Sequence, residues 1–127
     1  MKTIISTNKA PSAIGPYNQA TAFDKLIFTS GQIALDPATM EIVSGGVQEQ
    51  TKQVMENFKA VLEEAGSSFE NVLKTTCYVS DMDNFVAFNE VYGQYFNAET
   101  APARSTVAVK TLPKNVLVEV DTIAFKN

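Results

Sequence analysis

Two charged residues sit inside segments that otherwise read as buried strand: Arg104, in Ala101-Pro102-Ala103-Arg104-Ser105-Thr106-Val107, and Glu119, in Val116-Leu117-Val118-Glu119-Val120. Ionised side chains among apolar neighbours are expected to be paired, bound to a ligand or used chemically. A guanidinium offers a flat fork of donors that matches a carboxylate. A partly desolvated glutamate can take a proton from water. Together they point to a site that holds a small carboxylic acid and hydrolyses something attached to it. The competing interpretation is a salt bridge between the two, whose desolvation can cancel its Coulomb gain and which implies no chemistry.

The elements that must position them follow from periodicity and breakers. Ile4-Ile5 opens an edge strand, and Asn8 to Pro16 is a loop because Pro11, Gly15 and Pro16 interrupt any ladder. Leu26 to Ser30 is a strand closing at Gly31, and Asp36-Pro37 begins a turn. Val47, Val54, Met55, Phe58, Leu62 and Ala65 recur at helical spacing, with Gly66 as the stop. Val72 to Val79 is a strand. Asp81 or Asp83 caps a second helix bearing Phe85, Phe88, Tyr92, Tyr95 and Phe96, a stripe whose simplest role is core packing. Ala103–Lys110 and Val116–Phe125 complete the set, joined around Leu112-Pro113-Lys114-Asn115. The order strands, helix, strand, helix, two strands predicts one α+β domain over residues 1–127, a mixed sheet with both helices on one face.

Side-chain alternation then bears on the site. In the last strand Val116, Val118 and Val120 point under the helices, while Leu117, Glu119, Asp121, Ile123 and Phe125 point outward. That outer face stays partly apolar, and a second copy of the chain is the simplest cover for it. Arg104, Thr106 and Ala108 share one face of their strand. If Val107 and Val109 face the helices, Arg104 lies on the outer face with Glu119. Of the remaining polar positions, Tyr17 could be a staple over the core, Ser30-Gly31 a turn, and Asn89 a solvated position beside Phe88.

Composition removes several classes. The chain has 127 residues, enough to bury roughly two-thirds of its unfolded surface. With 45% apolar and 19% charged residues it reads as globular. Net charge is −4 and the pI about 4.7, and no stretch concentrates Lys or Arg, against a phosphate-tracking surface. The absence of histidine removes Ser-His and Cys-His catalysis and histidine-ligated metals. A single cysteine, Cys77, makes no intrachain disulfide or cysteine metal cluster and reads as a buried structural thiol. Met1 to Ser6 lacks the apolar core of a signal peptide, and no run reaches membrane-spanning length. A reduced, cytoplasmic setting without membrane contact is expected.

Five segments in order, Ala10-Pro11-Ser12-Ala13-Ile14-Gly15-Pro16-Tyr17-Asn18-Gln19-Ala20, Thr29-Ser30-Gly31-Gln32-Ile33, Lys74-Thr75-Thr76, Pro102-Ala103-Arg104-Ser105 and Val118-Glu119-Val120, resemble the RidA/YjgF family of reactive-intermediate deaminases. The resemblance implies a chorismate-mutase-like fold, a homotrimer with sites in clefts between subunits, and hydrolysis of 2-imino acids and their 2-enamino tautomers to 2-keto acids and ammonia, with no cofactor or metal. It implies that Arg104 grips the substrate carboxylate, that Glu119 positions water, and that Tyr17, Ser30, Gly31, Asn89 and Thr106 line the pocket. One position departs: many members carry cysteine where Thr106 stands, and backbone groups, which threonine supplies equally, are expected to matter there. Two rivals stand beside this reading, the first of them using the same cleft. A metabolite-binding or chaperone-like module would bind a keto acid without turnover. An RNA-cleaving inhibitor of translation is disfavoured by the acidic pI, the lack of histidine and the missing basic, aromatic-rich strip.

Overall fold

The computed structural model describes residues 1–127 and contains six strands and two α-helices. The strands are β1 (Thr3–Ile5), β2 (Ala20–Phe23), β3 (Leu26–Thr29), β4 (Val72–Val79), β5 (Ala103–Ala108) and β6 (Val118–Phe125); the helices are α1 (Val47–Glu64) and α2 (Phe85–Tyr92). They form one sheet in the order β1-β2-β3-β6-β4-β5, antiparallel except for the parallel pair β4 and β5. Helix α1 links β3 to β4 across the intervening β6, and α2 links β4 to β5.

Local chemistry accounts for the helix limits. At the start of α1 the Glu49 carboxylate accepts the Gly46 N–H at 2.7 Å, which satisfies one of the free donors a helix start leaves. At its end Gly66 takes φ +78°, so that Gly66 N–H donates to the Glu63 carbonyl and Ser67 N–H to the Leu62 carbonyl. This left-handed closure is the stop expected of that glycine. Helix α2 is shorter than the aromatic stripe suggests: Tyr95 and Phe96 lie beyond its last turn, packed against the core. The Asp81 side chain accepts the Asp83 N–H at 2.8 Å in the 3₁₀ turn that leads into α2.

Both helices cover the same sheet face, as the sequence predicts. Phe58 of α1 and Phe88 of α2 are fully buried against Cys77 and Val79 of β4 and Val118 and Val120 of β6. Each such side chain contributes about 1.5–3 kcal/mol by leaving water. A second region packs Val61 and Leu62 on Ile5, Ala20, Ala22 and Ile27. Strand β2 is an element the sequence reading lacks. Ala20-Thr21-Ala22-Phe23 has little strand preference of its own; pairing with β1 and β3, and burial of Ala20 and Ala22 in the core, make it a strand.

The opposite face carries apolar groups in register: Phe28 opposite Ile123, Leu26 opposite Phe125, and Phe23 beside Leu26. Phe28 is 43% and Leu26 42% exposed, so this surface is open in a single chain. No helix is long and apolar enough to cross a membrane.

Candidate functional site

Strand register divides the predicted site residues between two places. Glu119 is paired with Tyr78 on β4, whose side chain lies on the outer face, whereas the buried Cys77 and Val79 point under the helices. Arg104 is paired with Thr75, which is fully buried beneath α2. Arg104 therefore faces the helices and not the outer surface. The expectation that Val107 and Val109 point inward is corrected at Val107, which pairs with Tyr78 and is 45% exposed on the outer face. On this edge strand the slender Thr106 and Ala108 occupy the helix side, and the valine adds to the apolar outer surface.

Glu119 lines a cleft of about 430 Å³ together with Tyr17, Ser30, Gly31 and Lys114. An isolated bridge builds its floor: Gln32 N–H donates to the Val120 carbonyl at 2.8 Å and Val120 N–H to the Gln32 carbonyl at 3.2 Å. The bridge presses Gly31 against Glu119 so closely that a Cβ there would sit 2.9 Å from the carboxyl carbon. A side chain there would displace the carboxylate, so Ser30-Gly31 is more than a turn. The Ser30 hydroxyl donates to the Asn18 carbonyl at 2.6 Å, and Ser30 N–H to the Gln19 carbonyl at 2.9 Å, tying this floor to the Tyr17 wall. Tyr17 is 47% exposed and walls the cleft instead of stapling the core. Half-burial, and next the Asp121 carboxylate, raise Glu119 above the ordinary glutamate range. Asp121 in turn accepts the Tyr78 hydroxyl at 3.1 Å.

Arg104 rests in a cradle made by α2. Its Nη1 donates to Asn89 Oδ1 at 2.6 Å, and its guanidinium carbon lies 4.8 Å from the Tyr92 ring centroid and 5.4 Å from that of Phe85. Phe85, Asn89 and Tyr92 follow helical spacing, which brings them onto one side of α2. The Tyr92 hydroxyl shares a 2.8 Å hydrogen bond with Thr75, the register partner of Arg104. Stacking and one charge-assisted hydrogen bond thus orient an arginine that remains exposed. Two positions along the same face, Thr106 Oγ1 is buried without a hydrogen-bond partner. Cys77 is fully buried nearby, and burial pushes its thiol up to about 11, which keeps it a poor nucleophile.

Tyr17, Ser30, Gly31 and Glu119 thus share one cleft, while Arg104, Asn89 and Thr106 cluster at the β5 edge under α2. Lys114 in the cleft, and Phe85 and Tyr92 beneath the guanidinium, add to the residues expected from sequence. The spacing of Phe85, Asn89 and Tyr92 carried a usable signal, since one polar residue in an aromatic stripe marks where a charge can be received. Lys114 takes φ +56° and Asn115 φ +57° in the turn after Pro113, which no local pattern announces.

Residues 7–126 match the family described as endoribonuclease L-PSP. The chain belongs to this family, the RidA/YjgF proteins. Among RidA/YjgF relatives, a RutC family protein of Synechocystis is 57% identical over 122 residues, covering 95% of this chain and 94% of that protein. The human 2-iminobutanoate/2-iminopropanoate deaminase is 44% identical over 126 residues, covering 99% and 91%. Escherichia coli TdcF, solved with bound serine, superposes with a TM-score of 0.91 at 42% identity, covering 98% of this chain and 99% of that one. The family therefore includes imine deaminases as well as members named only by family.

Proposed function

We propose that this RidA/YjgF protein is a 2-iminobutanoate/2-iminopropanoate deaminase, acting in the cytoplasm as a homotrimer whose sites form where the Arg104 cradle of one copy meets the Glu119 cleft of the next. The observation that carries this reading is the exposed, pre-oriented guanidinium of Arg104, which Glu119 cannot neutralise from the other face of its own sheet. Pairing through the apolar outer face around Leu26, Phe28 and Val107 gives that surface a cover and brings the two half-sites together. The human relative's name and the serine in TdcF support a ligand with one carboxylate and one nitrogen on the adjoining carbon.

The chemistry needs little beyond placement. Arg104 holds the substrate carboxylate by paired hydrogen bonds, with Asn89 fixing the plane of the fork. The protonated imine carbon then faces the water held by Glu119. Water oxygen bonds to that carbon while the C=N π electrons move to nitrogen, and Glu119 accepts the proton that water gives up. Glu119 returns that proton to the carbinolamine nitrogen, the C–N bond breaks with ammonia leaving, and loss of the hydroxyl proton to the again ionised Glu119 closes the C=O of the keto acid. Base assistance of this kind contributes about 10²–10⁴-fold.

The test generates 2-iminobutanoate with a threonine dehydratase and follows 2-ketobutanoate release. Wild type accelerates the release, and Arg104→Ala loses most of the effect. No acceleration by wild type, or full acceleration by Arg104→Ala, rejects the proposal. The RNA-cleaving activity in the family's description fits this chain less well, given its net charge of −4 and lack of histidine.

A further inference from the structure

The loop from Thr7 to Asn18 forms one wall of the Glu119 cleft, yet Pro11, Gly15 and Pro16 deny it a backbone ladder. Ala10 and Pro11 are buried nonetheless, so their carbonyls need donors from elsewhere. A single side chain supplies them. Gln19, 4% exposed, places Nε2 2.9 Å from the Thr7 carbonyl, 3.2 Å from that of Ala10 and 2.8 Å from that of Pro11, so its two N–H groups serve three acceptors with one hydrogen shared. Its Oε1 accepts the Thr7 N–H at 2.7 Å. The Gln19 main-chain carbonyl meanwhile accepts Ser30 N–H on the cleft floor. One residue therefore holds the wall by its side chain and the floor by its backbone.

We propose that Gln19 is a positioning residue for the cleft, setting where Tyr17 stands relative to Ser30, Gly31 and Glu119; its effect on turnover rests on the deaminase reading above. The carboxamide is specific to this task. A carboxylate of the same shape would keep the acceptor for Thr7 N–H but turn a charged oxygen toward three carbonyls, and methionine would offer no donor. Glu119 and Gly31 stand on the β6 bridge and not on the loop, so loss of Gln19 disturbs ligand binding more than the proton-transfer step.

The experiment compares wild type with Gln19→Met and Gln19→Glu. In both variants KM for 2-iminobutanoate is expected to rise about 10–100-fold with kcat changed less than about 3-fold. Trypsin should cut after Lys9 in the folded variants much faster than in wild type. In wild type the Thr7 amide should exchange slowly. Unchanged KM together with unchanged cleavage after Lys9 overturns the proposal, as does a Thr7 amide that exchanges like an open peptide. Should both variants fail to fold, the Thr7 exchange in wild type decides alone. Should wild type prove inactive, the deaminase reading falls, and Lys9 cleavage, Thr7 exchange and affinity for 2-ketobutanoate still judge Gln19.

Discussion

Arg104 and Glu119 stand on opposite faces of one sheet, with β4 between their strands: Arg104 is in register with Thr75 beneath α2, and Glu119 with Tyr78 on the outer side. Neither a salt bridge between them nor a site shared within one chain is compatible with that register. If the two act together, they come from different copies.

Complementation tests this directly. Arg104→Ala and Glu119→Ala are each expected to be nearly inactive alone. Co-expressed or refolded together, random assembly in a ring should leave about a quarter of the sites with one intact Arg104 and one intact Glu119. The dehydratase-coupled rate of the mixture should recover toward that share. A mixture no more active than its components means that Arg104 and Glu119 do not complete one site between copies.

Glu119 should set the acid side of the pH profile. Burial and Asp121 raise its pKa, and only the ionised form accepts a proton, so kcat/KM should climb with pH through a midpoint above that of an ordinary glutamate. Stability runs the other way. A carboxyl with a raised folded-state pKa favours the fold below its unfolded value and loses that contribution as pH rises through the folded value. Glu119→Gln should therefore abolish the acid limb and lower kcat about 10²–10⁴-fold. Its melting temperature should exceed that of wild type by a margin that widens between acid and neutral pH. Melting curves of the two proteins across pH, alongside the rate profile, check both signs.

Gly31→Ala should injure activity selectively. The new Cβ would meet the Glu119 carboxyl at 2.9 Å, and the flexible side chain, not the backbone, would yield. A displacement on this scale costs on the order of 10–100-fold in kcat. Circular dichroism should stay that of wild type and the melting temperature should shift little. Undiminished kcat would mean that Glu119 works from another position.

Away from the site, Asp24 takes φ +55° at the tight turn between β2 and β3, is exposed, and has the side-chain penalty of the left-handed region. Asp24→Gly should raise stability by about 0.5–1 kcal/mol, seen as a melting temperature higher by about 2–6 °C with kcat/KM unchanged. A lower melting temperature would show that glycine's greater freedom in the unfolded chain outweighs the relief.

Periodicity alone determined α1, β4 and β6, because a buried face repeats with the geometry of its own element: Val54, Phe58 and Leu62 one turn apart, Val118 and Val120 on alternate positions. It also determined that Glu119 leaves the core and that the outer face stays apolar, while the five segments together identified the family. Residue types nominated Arg104 and Glu119 as unusual, since charge among apolar neighbours is a local property. Their relation was beyond it. Whether Arg104 points to the helices or away depends on which residue of β4 it stands beside, and that pairing is made between segments far apart in the chain. The same holds for β2, whose alanines become a strand only between two neighbours, and for Gln19, whose value lies in three carbonyls that the chain must first fold back to deliver. Tertiary structure alone decided that Arg104 and Glu119 face apart, because strand register is settled by packing between elements and not by the sequence within either one.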